Sequence, residues 1–289
     1  MRKSLGCLVA AGLLPCTAFS QEATITEVHD TPSVRGSIIA DLLQEHDNPF
    51  TLYPYESNYL IYTVTDDLNK EAIRSYNWTD NARKDEVKFQ LSLAFPLWRG
   101  ILGDNSVLGA SYTQRSWWQL SNSGESSPFR ETNYEPQLFL GFATDYQLGD
   151  WTLRDVEFGY NHHSNGRSDP TSRSWNRAYA RLMAQNGNWL VEAKPWYVIG
   201  NTDDNPDITK YMGYYQLKVG YQWGEAVWSL KGQYNWNTGY GGAELGVSYP
   251  VSKHVRLYTQ LYSGYGESLI DYNFNQTRFG FGVMLNDLF

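Results

Sequence analysis

The stretch VKFQLSLAFPL, residues 87–97, decides the fold class of this chain. Its odd positions, from Val87 to Leu97, are all apolar, whereas the even positions begin with Lys88 and Gln90 and are mostly polar. Successive side chains of a β-strand point to opposite faces, so this stretch predicts a strand with one wholly apolar face. Two folds fit such a strand: a soluble sandwich, whose core it would line, and a membrane barrel, whose lipid face it would form.

The rest of the chain favours the barrel. Acids at Asp155 and Glu157 on one predicted strand are followed by bases at Arg177 and Arg181 on the next, as expected of a lumen filled by paired charges. The connections alternate between short turns and longer loops, as in outer-membrane barrels. About 12 strands are predicted, an even number, at residues 59–64, 87–97, 106–120, 132–147, 151–164, 173–186, 188–199, 211–223, 226–237, 240–250, 253–265 and 277–289. The sequence therefore predicts an all-β, 12-stranded antiparallel transmembrane β-barrel that spans a bacterial outer membrane many times.

Composition agrees with a barrel. The chain has 22 Tyr, 12 Phe and 11 Trp, and its mean hydropathy of -0.51 is compatible with strands that need apolar residues only at alternate positions. Phe289 ends the last strand on its apolar parity. Tryptophans near strand ends fit interfacial girdles: Trp117, Trp118, Trp151, Trp189 and Trp223.

The first 20 residues read as a secretory signal peptide, with two basic residues ahead of an apolar run and cleavage after Ser20. Cys7 and Cys16 both lie in it, so the mature chain would have no thiol. A lipid anchor on Cys16 is the alternative, but Pro15 does not suit it. Residues 21–57 would form an N-terminal periplasmic segment that plugs or caps one end, and 58–289 the barrel. A net charge of -8 argues against a nucleic-acid partner.

The hairpin YNHHSNGRSDPTSRSWNR, residues 160–177, holds the candidate catalytic residues. His162 and Ser164 share the lipid-facing row, and Asn176 would lie across from His162 if the chain turns back between them. A base, a nucleophile and an orienting amide would then meet near the outer leaflet's headgroups, within reach of a lipid ester. His-x-Ser alone is a weak pattern, because such residues at a strand end are usually only hydrogen-bonded at the interface. No Gly-x-Ser-x-Gly elbow supports an α/β-hydrolase.

This hairpin resembles the active-site hairpin of the outer membrane phospholipase A family. The resemblance extends over the mature chain and includes HDNPFTLYPY, SYTQRSWWQLSN, FRETNYEPQ, NTDDNPDITKY and NWNTGYGGAELG. It implies a calcium-dependent, homodimeric enzyme that hydrolyses acyl esters of phospholipids and lysophospholipids. Carried over by position, Ser164 would be the nucleophile, His162 the general base and Asn176 the residue that holds the imidazole. His163 departs from the acidic residue expected there, but it points to the other face.

The same resemblance implies the calcium ligands. They would be the carbonyl of Arg167, the hydroxyl of Ser172 and Ser126 of the partner subunit, with Asp204 and Asp169 nearby. Calcium takes such oxygen ligands and can stabilise the oxyanion of ester cleavage. By composition alone, these segments are polar loops that are more often solvated than metal-bound.

Gln114 gives a separate indication of a dimer. On the predicted strand it falls in the outward row, where an unsatisfied carboxamide in hydrocarbon would cost several kcal/mol. A second copy across a two-fold axis would satisfy it. The alternative is a slipped strand that turns Gln114 toward the lumen.

Two other functions remain to be separated from a lipase. A passive porin-like channel is disfavoured by the crowd of charges expected in the lumen. A barrel protease would need its catalytic residues at the extracellular mouth, whereas His162 points outward.

Overall fold

The structure, a computed structural model, describes residues 36–46 and 51–286. It contains two short α-helices, two 3-10 turns at Thr79–Asn81 and Ser123–Glu125, and one antiparallel sheet. The α-helices are α1 (Ile38–Leu43) and α2 (Ile208–Met212). The strands are β1 (Tyr53–Pro54), β2 (Asn58–Thr65), β3 (Asp85–Arg99), β4 (Ser106–Trp118), β5 (Phe129–Leu148), β6 (Trp151–Ser164), β7 (Ser174–Asn186), β8 (Trp189–Ile199), β9 (Tyr215–Trp223), β10 (Ala226–Asn235), β11 (Tyr240–Pro250), β12 (Arg256–Gly264) and β13 (Gln276–Asn286).

The predicted barrel is confirmed. The sheet has 13 strands, of which β1 attaches only to the side of β3. The other 12 pair with their sequence neighbours and close where β13 pairs with β2. None of the helices within the described ranges is long and apolar enough to cross a membrane.

The two ends of the barrel differ. At one end the strands are joined by turns such as 149–150, 187–188 and 224–225. The other end carries most of the long connections, among them 66–84, 165–173 and 200–214. We refer to these as the turn end and the loop end.

The two faces of the wall follow the predicted alternation. Leu91, Phe95 and Leu97 are exposed on the outside of β3, whereas Lys88 and Gln90 are buried in the lumen. The lumen is filled by paired charges, as expected. The central pairs are Glu86 with Arg130 and Arg278, Glu157 and Glu192 with Arg181, Glu135 with Arg177, and Glu267 with Lys88 and Arg278. Two cavities of about 40 Å³ are lined by charged residues, one by Glu56, Lys218, Lys231 and Glu244 and the other by Glu135, Arg177 and Lys194.

One expected pairing is different. Asp155 was placed with the lumenal bases, but its carboxylate accepts hydrogen bonds from the Ser37 hydroxyl and from the Ile38 amide at 2.8 Å. It therefore caps the first turn of α1, whose free amides need acceptors. The partner of Arg177 is Glu135 on β5 instead.

The N-terminal helix α1 packs inside the turn end. Ile39 and Leu42 are fully buried in the main hydrophobic cluster with Val107 and Phe139 of the wall. Ile39 also lies where a side chain at Gly141 would stand, because a Cβ there would come within 2.4 Å of it. The described part of the N-terminal segment thus closes one end of the lumen.

The loop end is closed by connection 265–275, which folds inward. Residues 267–272 are all buried. Asp271 accepts a hydrogen bond from Arg130 at 2.7 Å, and Glu267 lies 2.8 Å from Arg278. Burial alone would raise the pKa of the Glu267 carboxyl, but the charges of Arg278 and Lys88 lower it to about 2. Glu267 is therefore an anion that holds this loop in place.

Several boundaries differ from the sequence prediction. The strand expected from residue 211 begins at Tyr215, because 208–212 form α2. Trp117, expected in a girdle, is buried in the lumen, where Lys88 Nζ lies 5.5 Å from its ring centroid. The leader with Cys7 and Cys16 and the C-terminal Phe289 lie outside the described residues.

Candidate functional site

The candidate site lies on the hairpin of β6 and β7, near the loop end. In the register of these strands His162 is paired with Asn176, and Ser164 with Ser174. The hairpin loop is closed by the side chain of Asn165, which accepts from the Arg173 amide at 3.0 Å and donates to the Thr171 carbonyl at 2.8 Å. The hairpin thus brings His162 and Asn176 face to face, as the sequence predicted.

His162 and Asn176 are in direct contact. Nδ1 of His162 lies 2.7 Å from Oδ1 of Asn176, and the Tyr160 hydroxyl donates to the same oxygen at 2.8 Å. A carbonyl oxygen can only accept, so Nδ1 must carry the proton. This tautomer leaves Nε2 of His162 with a free lone pair, which is what a general base requires.

Ser164 lies two residues from His162 on the same outer face and is half-buried. Its side chain makes no hydrogen bond to any residue that the structure describes, so the expected convergence is complete for His162 and Asn176 but not for the serine. The loose hydroxyl is consistent with an enzyme in which nucleophile and base tighten only on substrate.

Tyr160 is the residue that sequence reasoning overlooked. The sequence assigned it no role, yet it shares the oxygen of Asn176 with His162. A phenol two residues before a candidate base, on the same face of the strand, is the signal that could have identified it.

His163 faces the lumen, as predicted, and is buried. The indole N–H of Trp175 donates to its Nδ1 at 3.2 Å. Because an indole N–H can only donate, Nδ1 carries no proton and the ring is neutral. His163 therefore has a fixed structural partner on the side of the wall away from the candidate site.

Two of the proposed calcium ligands are in contact. The Ser172 hydroxyl donates to Oδ2 of Asp204 at 2.8 Å, and the Ser174 hydroxyl donates to the same atom at 3.1 Å. The other carboxylate oxygen of Asp204 has no hydrogen-bond donor in the described part of the chain. The structure thus gathers an anionic oxygen and two hydroxyls beside Ser164, whose paired residue is Ser174.

Arg167 is anchored through its side chain. The guanidinium donates to the Phe129 and Arg130 carbonyls at 3.1 and 2.9 Å and lies 3.4 Å from Glu131. It also stands 4.7 Å from the centroid of the Tyr76 ring. Burial raises the pKa of the Tyr76 phenol to about 12, so the ring stays neutral beneath the cation. The Arg167 carbonyl accepts no hydrogen bond from the described residues and is free for a ligand.

Ser126 and Asp169 make no described side-chain contact with Ser172 or Asp204. Ser126 ends the 3-10 turn Ser123–Glu125 in a left-handed conformation and is exposed. Asp169 is also exposed. Within residues 36–46 and 51–286, no cluster of three His, Cys, Asp or Glu could hold a metal, so a cation here would depend on hydroxyl and carbonyl oxygens.

Gln114 lies on the outer face of β4, because its neighbours Thr113 and Arg115 point into the lumen. The slipped register is thereby excluded. Its carboxamide is not unsatisfied, however: the Tyr112 hydroxyl donates to Oε1 at 3.1 Å and Nε2 donates to Ser116 at 3.3 Å. Both partners stand two residues away on the same row, so the amide is partly satisfied within the protomer, and Gln114 as a dimer contact stays a prediction.

Comparison with known proteins gives concordant matches. The family model described as Phospholipase A1 matches residues 37–285. Phospholipase A1 of Proteus vulgaris is 83% identical over 289 residues, which is all of both chains. The solved structure of outer membrane phospholipase A from Escherichia coli is 86% identical, with a TM-score of 0.87 over 89% of this chain and 100% of that one. The Salmonella typhi outer membrane phospholipase, solved as a dimer with bound calcium, matches with the same identity, coverage and TM-score.

Proposed function

Because the chain belongs to the phospholipase A1 family, we propose that it hydrolyses phospholipids with Ser164, His162 and Asn176 on the outer surface of its barrel. The chain is a phospholipase of the bacterial outer membrane. The observation that carries the assignment of residues is the contact between Nδ1 of His162 and Oδ1 of Asn176 on the outward face.

The tautomer of His162 defines the roles. With the Nδ1 proton held by Asn176, Nε2 can take the proton of the Ser164 hydroxyl as that oxygen attacks an acyl carbonyl. The same nitrogen then returns the proton to the leaving alcohol, and a water molecule repeats the sequence on the acyl-enzyme. Asn176 holds the imidazole ring in place. Because Asn176 carries no charge, it stabilises the imidazolium through its amide dipole, where the aspartate of the usual triad would use its charge.

The position of the site decides its substrate. His162 and Ser164 belong to the outward row of β6, beside the exposed Tyr160 and Phe158. A site on the outside of a barrel meets lipid, and near the loop end it lies at the depth of the headgroup esters. We therefore propose phospholipids and lysophospholipids of the outer leaflet as substrates.

The oxygen donors near Ser164 fit calcium. The Arg167 carbonyl, Ser172 and Asp204 would hold it, with Ser126 supplied by the partner subunit. When bound, the cation would supply electrostatic stabilisation of the oxyanion that forms during ester cleavage. The solved Salmonella typhi relative is a dimer with bound calcium, and we extend both properties to this chain.

A dimer would complete this site. Ser126 makes no described contact with Ser172 or Asp204 within the protomer, and we propose that it serves as a ligand in the site of the second copy. Gln114 lies on the outer face of β4 and would contact its equivalent across the two-fold axis. If only the dimer has a complete metal site, the monomer is inactive. The lipase then does not attack the phospholipid membrane in which it lies.

The arrangement of the whole chain remains a proposal as well. Residues 1–20 would be a signal peptide that is removed, 21–57 an N-terminal periplasmic segment and 58–289 the barrel. The burial of α1 inside the turn end supports the second of these, because short turns face the periplasm in outer-membrane barrels.

Fatty-acid release from detergent-dispersed phospholipid tests the proposal, for wild type and Ser164→Ala side by side, with calcium and with excess EDTA. We expect release only from wild type with calcium, and a loss of at least about 10³-fold in kcat for Ser164→Ala. Ser168→Ala, a change at an exposed loop serine, is the matched control and should retain activity.

Circular dichroism of each purified variant shows whether the barrel is folded. Release by folded Ser164→Ala at the wild-type rate would refute the assignment of the nucleophile. Fatty-acid release in EDTA would refute the calcium requirement but not the assignment of Ser164, His162 and Asn176.

A further inference from the structure

We infer that Tyr160 is a positioning residue that fixes the amide of Asn176, and the inference rests on the catalytic roles proposed above. Its hydroxyl donates to Oδ1 of Asn176 at 2.8 Å, the atom that lies 2.7 Å from Nδ1 of His162. One oxygen therefore joins the phenol to the imidazole.

The backbone register makes this contact possible. Tyr160 is paired with Ala178, and His162 with Asn176, so the phenol and the amide stand on a diagonal of the same face. Diagonal neighbours on an antiparallel pair are within reach of long aromatic side chains. The small side chain of Ala178 leaves the path between them open.

The chemical reason lies in the symmetry of a carboxamide. Its oxygen and nitrogen ends have nearly the same shape, and rotation by a half-turn would present an N–H to His162. Nδ1 would then have to accept, the ring proton would move to Nε2, and the base would be lost. A donor is needed that recognises the oxygen end.

Tyr160 supplies that donor. In the rotated amide its hydroxyl hydrogen would face another donor and lose its acceptor. On a lipid-facing surface water does not readily replace a lost partner, so an unpaired hydroxyl disfavours the rotated amide. The phenol thus favours the amide orientation that keeps Nε2 of His162 free.

An aromatic residue near the membrane interface has a simpler explanation, since tyrosine rings are common there. Tyr197 offers the comparison. It lies on the other side of Ala178, on the outer face of β8, and is exposed. Its hydroxyl has no hydrogen-bond partner among the residues with described positions, so it represents a tyrosine that serves the interface alone.

The experiment is a double-mutant cycle of Tyr160→Phe and Asn176→Ala, with kcat and KM measured on detergent-dispersed phospholipid at saturating calcium. Tyr160→Phe keeps the ring and should lower kcat by about fivefold with KM unchanged, the size of one neutral hydrogen bond. The double variant should be no slower than Asn176→Ala, because Tyr160 acts through that amide. Tyr197→Phe should match wild type.

Two results would overturn the inference. One is wild-type kcat for folded Tyr160→Phe; the other is independent, multiplicative losses in the double variant. If Asn176→Ala itself kept full activity, the proposed role of Asn176 would be wrong, and that failure is distinct from the other two.

Discussion

His162 and His163 are neighbours in the chain but occupy opposite sides of the barrel wall. His162 faces outward and contacts Asn176, with its Nδ1 proton held and its Nε2 free. His163 faces the packed lumen and accepts from Trp175 through Nδ1. The same side chain thus takes opposite tautomers one residue apart, because the partner of Nδ1 is an acceptor on one face and a donor on the other.

The two faces are also stabilised differently. The lumen holds a network of buried ion pairs, and the outer face holds a few hydrogen bonds among apolar side chains. The candidate catalytic residues therefore lie on the outer face, where few groups compete for hydrogen bonds to a histidine. The ion pairs of the lumenal face give the barrel its rigidity. The comparison predicts that substitutions on the outer face of this hairpin change activity, whereas those on the lumenal face change stability.

The largest difference is expected between the two histidines themselves. His162→Ala removes the proposed base and should lower kcat by about 10³-fold or more with the barrel intact. His163→Gln keeps an acceptor for the Trp175 N–H and should retain activity within about threefold. Fatty-acid release by both folded variants makes the test, and equal losses would remove the distinction between the faces.

The next effect concerns the lumen. Arg181 is buried between Glu157 at 3.2 Å and Glu192 at 2.8 Å, so Arg181→Met leaves two carboxylates poorly compensated. We expect a loss of about 3–5 kcal/mol in the free energy of unfolding, measured by urea unfolding in micelles. The kcat of the folded enzyme, measured by fatty-acid release, should be unchanged.

Leu182→Ala is the control for this change, because the next residue along β7 faces lipid. It should alter the unfolding midpoint far less than Arg181→Met does. A large fall in kcat for folded Arg181→Met would show that the lumenal network reaches the catalytic face.

The smallest effect is expected at Gln114. Its amide already has Tyr112 and Ser116 within the protomer, so Gln114→Ala should weaken the dimer by only about tenfold. Energy transfer between labelled protomers in micelles with calcium measures the dissociation constant. Thr113→Ala, one residue away in the lumen, should leave that constant unchanged, and an equal effect of the two would exclude Gln114 from the interface.

Much of the fold was readable from the chain. Strand β6 begins and ends as predicted, at 151 and 164, because a turn and a polar loop bound it and its residues alternate regularly from Asp155 onward, after a register shift between Leu153 and Asp155. The prediction failed at the start of β9. Residues 211–214 were predicted as part of that strand, but residues 208–212 form α2 and the strand begins only at Tyr215. Trp117 was misplaced for a related reason, since an aromatic residue near a strand end fits a girdle and a lumenal stack equally well.

The candidate site divides in the same way. A short hairpin fixes which residues share a face, so His162, Ser164 and Asn176 could be grouped from spacing alone. The shared use of one Asn176 oxygen by His162 and Tyr160 could not, because it depends on the side-chain directions across the pair. The meeting of Ser172 with Asp204 was also out of reach of spacing, since it joins two separate loops.

The sequence by itself determined the barrel, its 12 wall strands and the face on which most strand residues lie, because a period of two needs only local information. Only the tertiary structure decided which lumenal acid meets which base. Arg130 and Asp271 are 141 residues apart and lie 2.7 Å from each other. Closure of the barrel and the inward fold of the last loop bring them together, and neither is encoded in a local pattern.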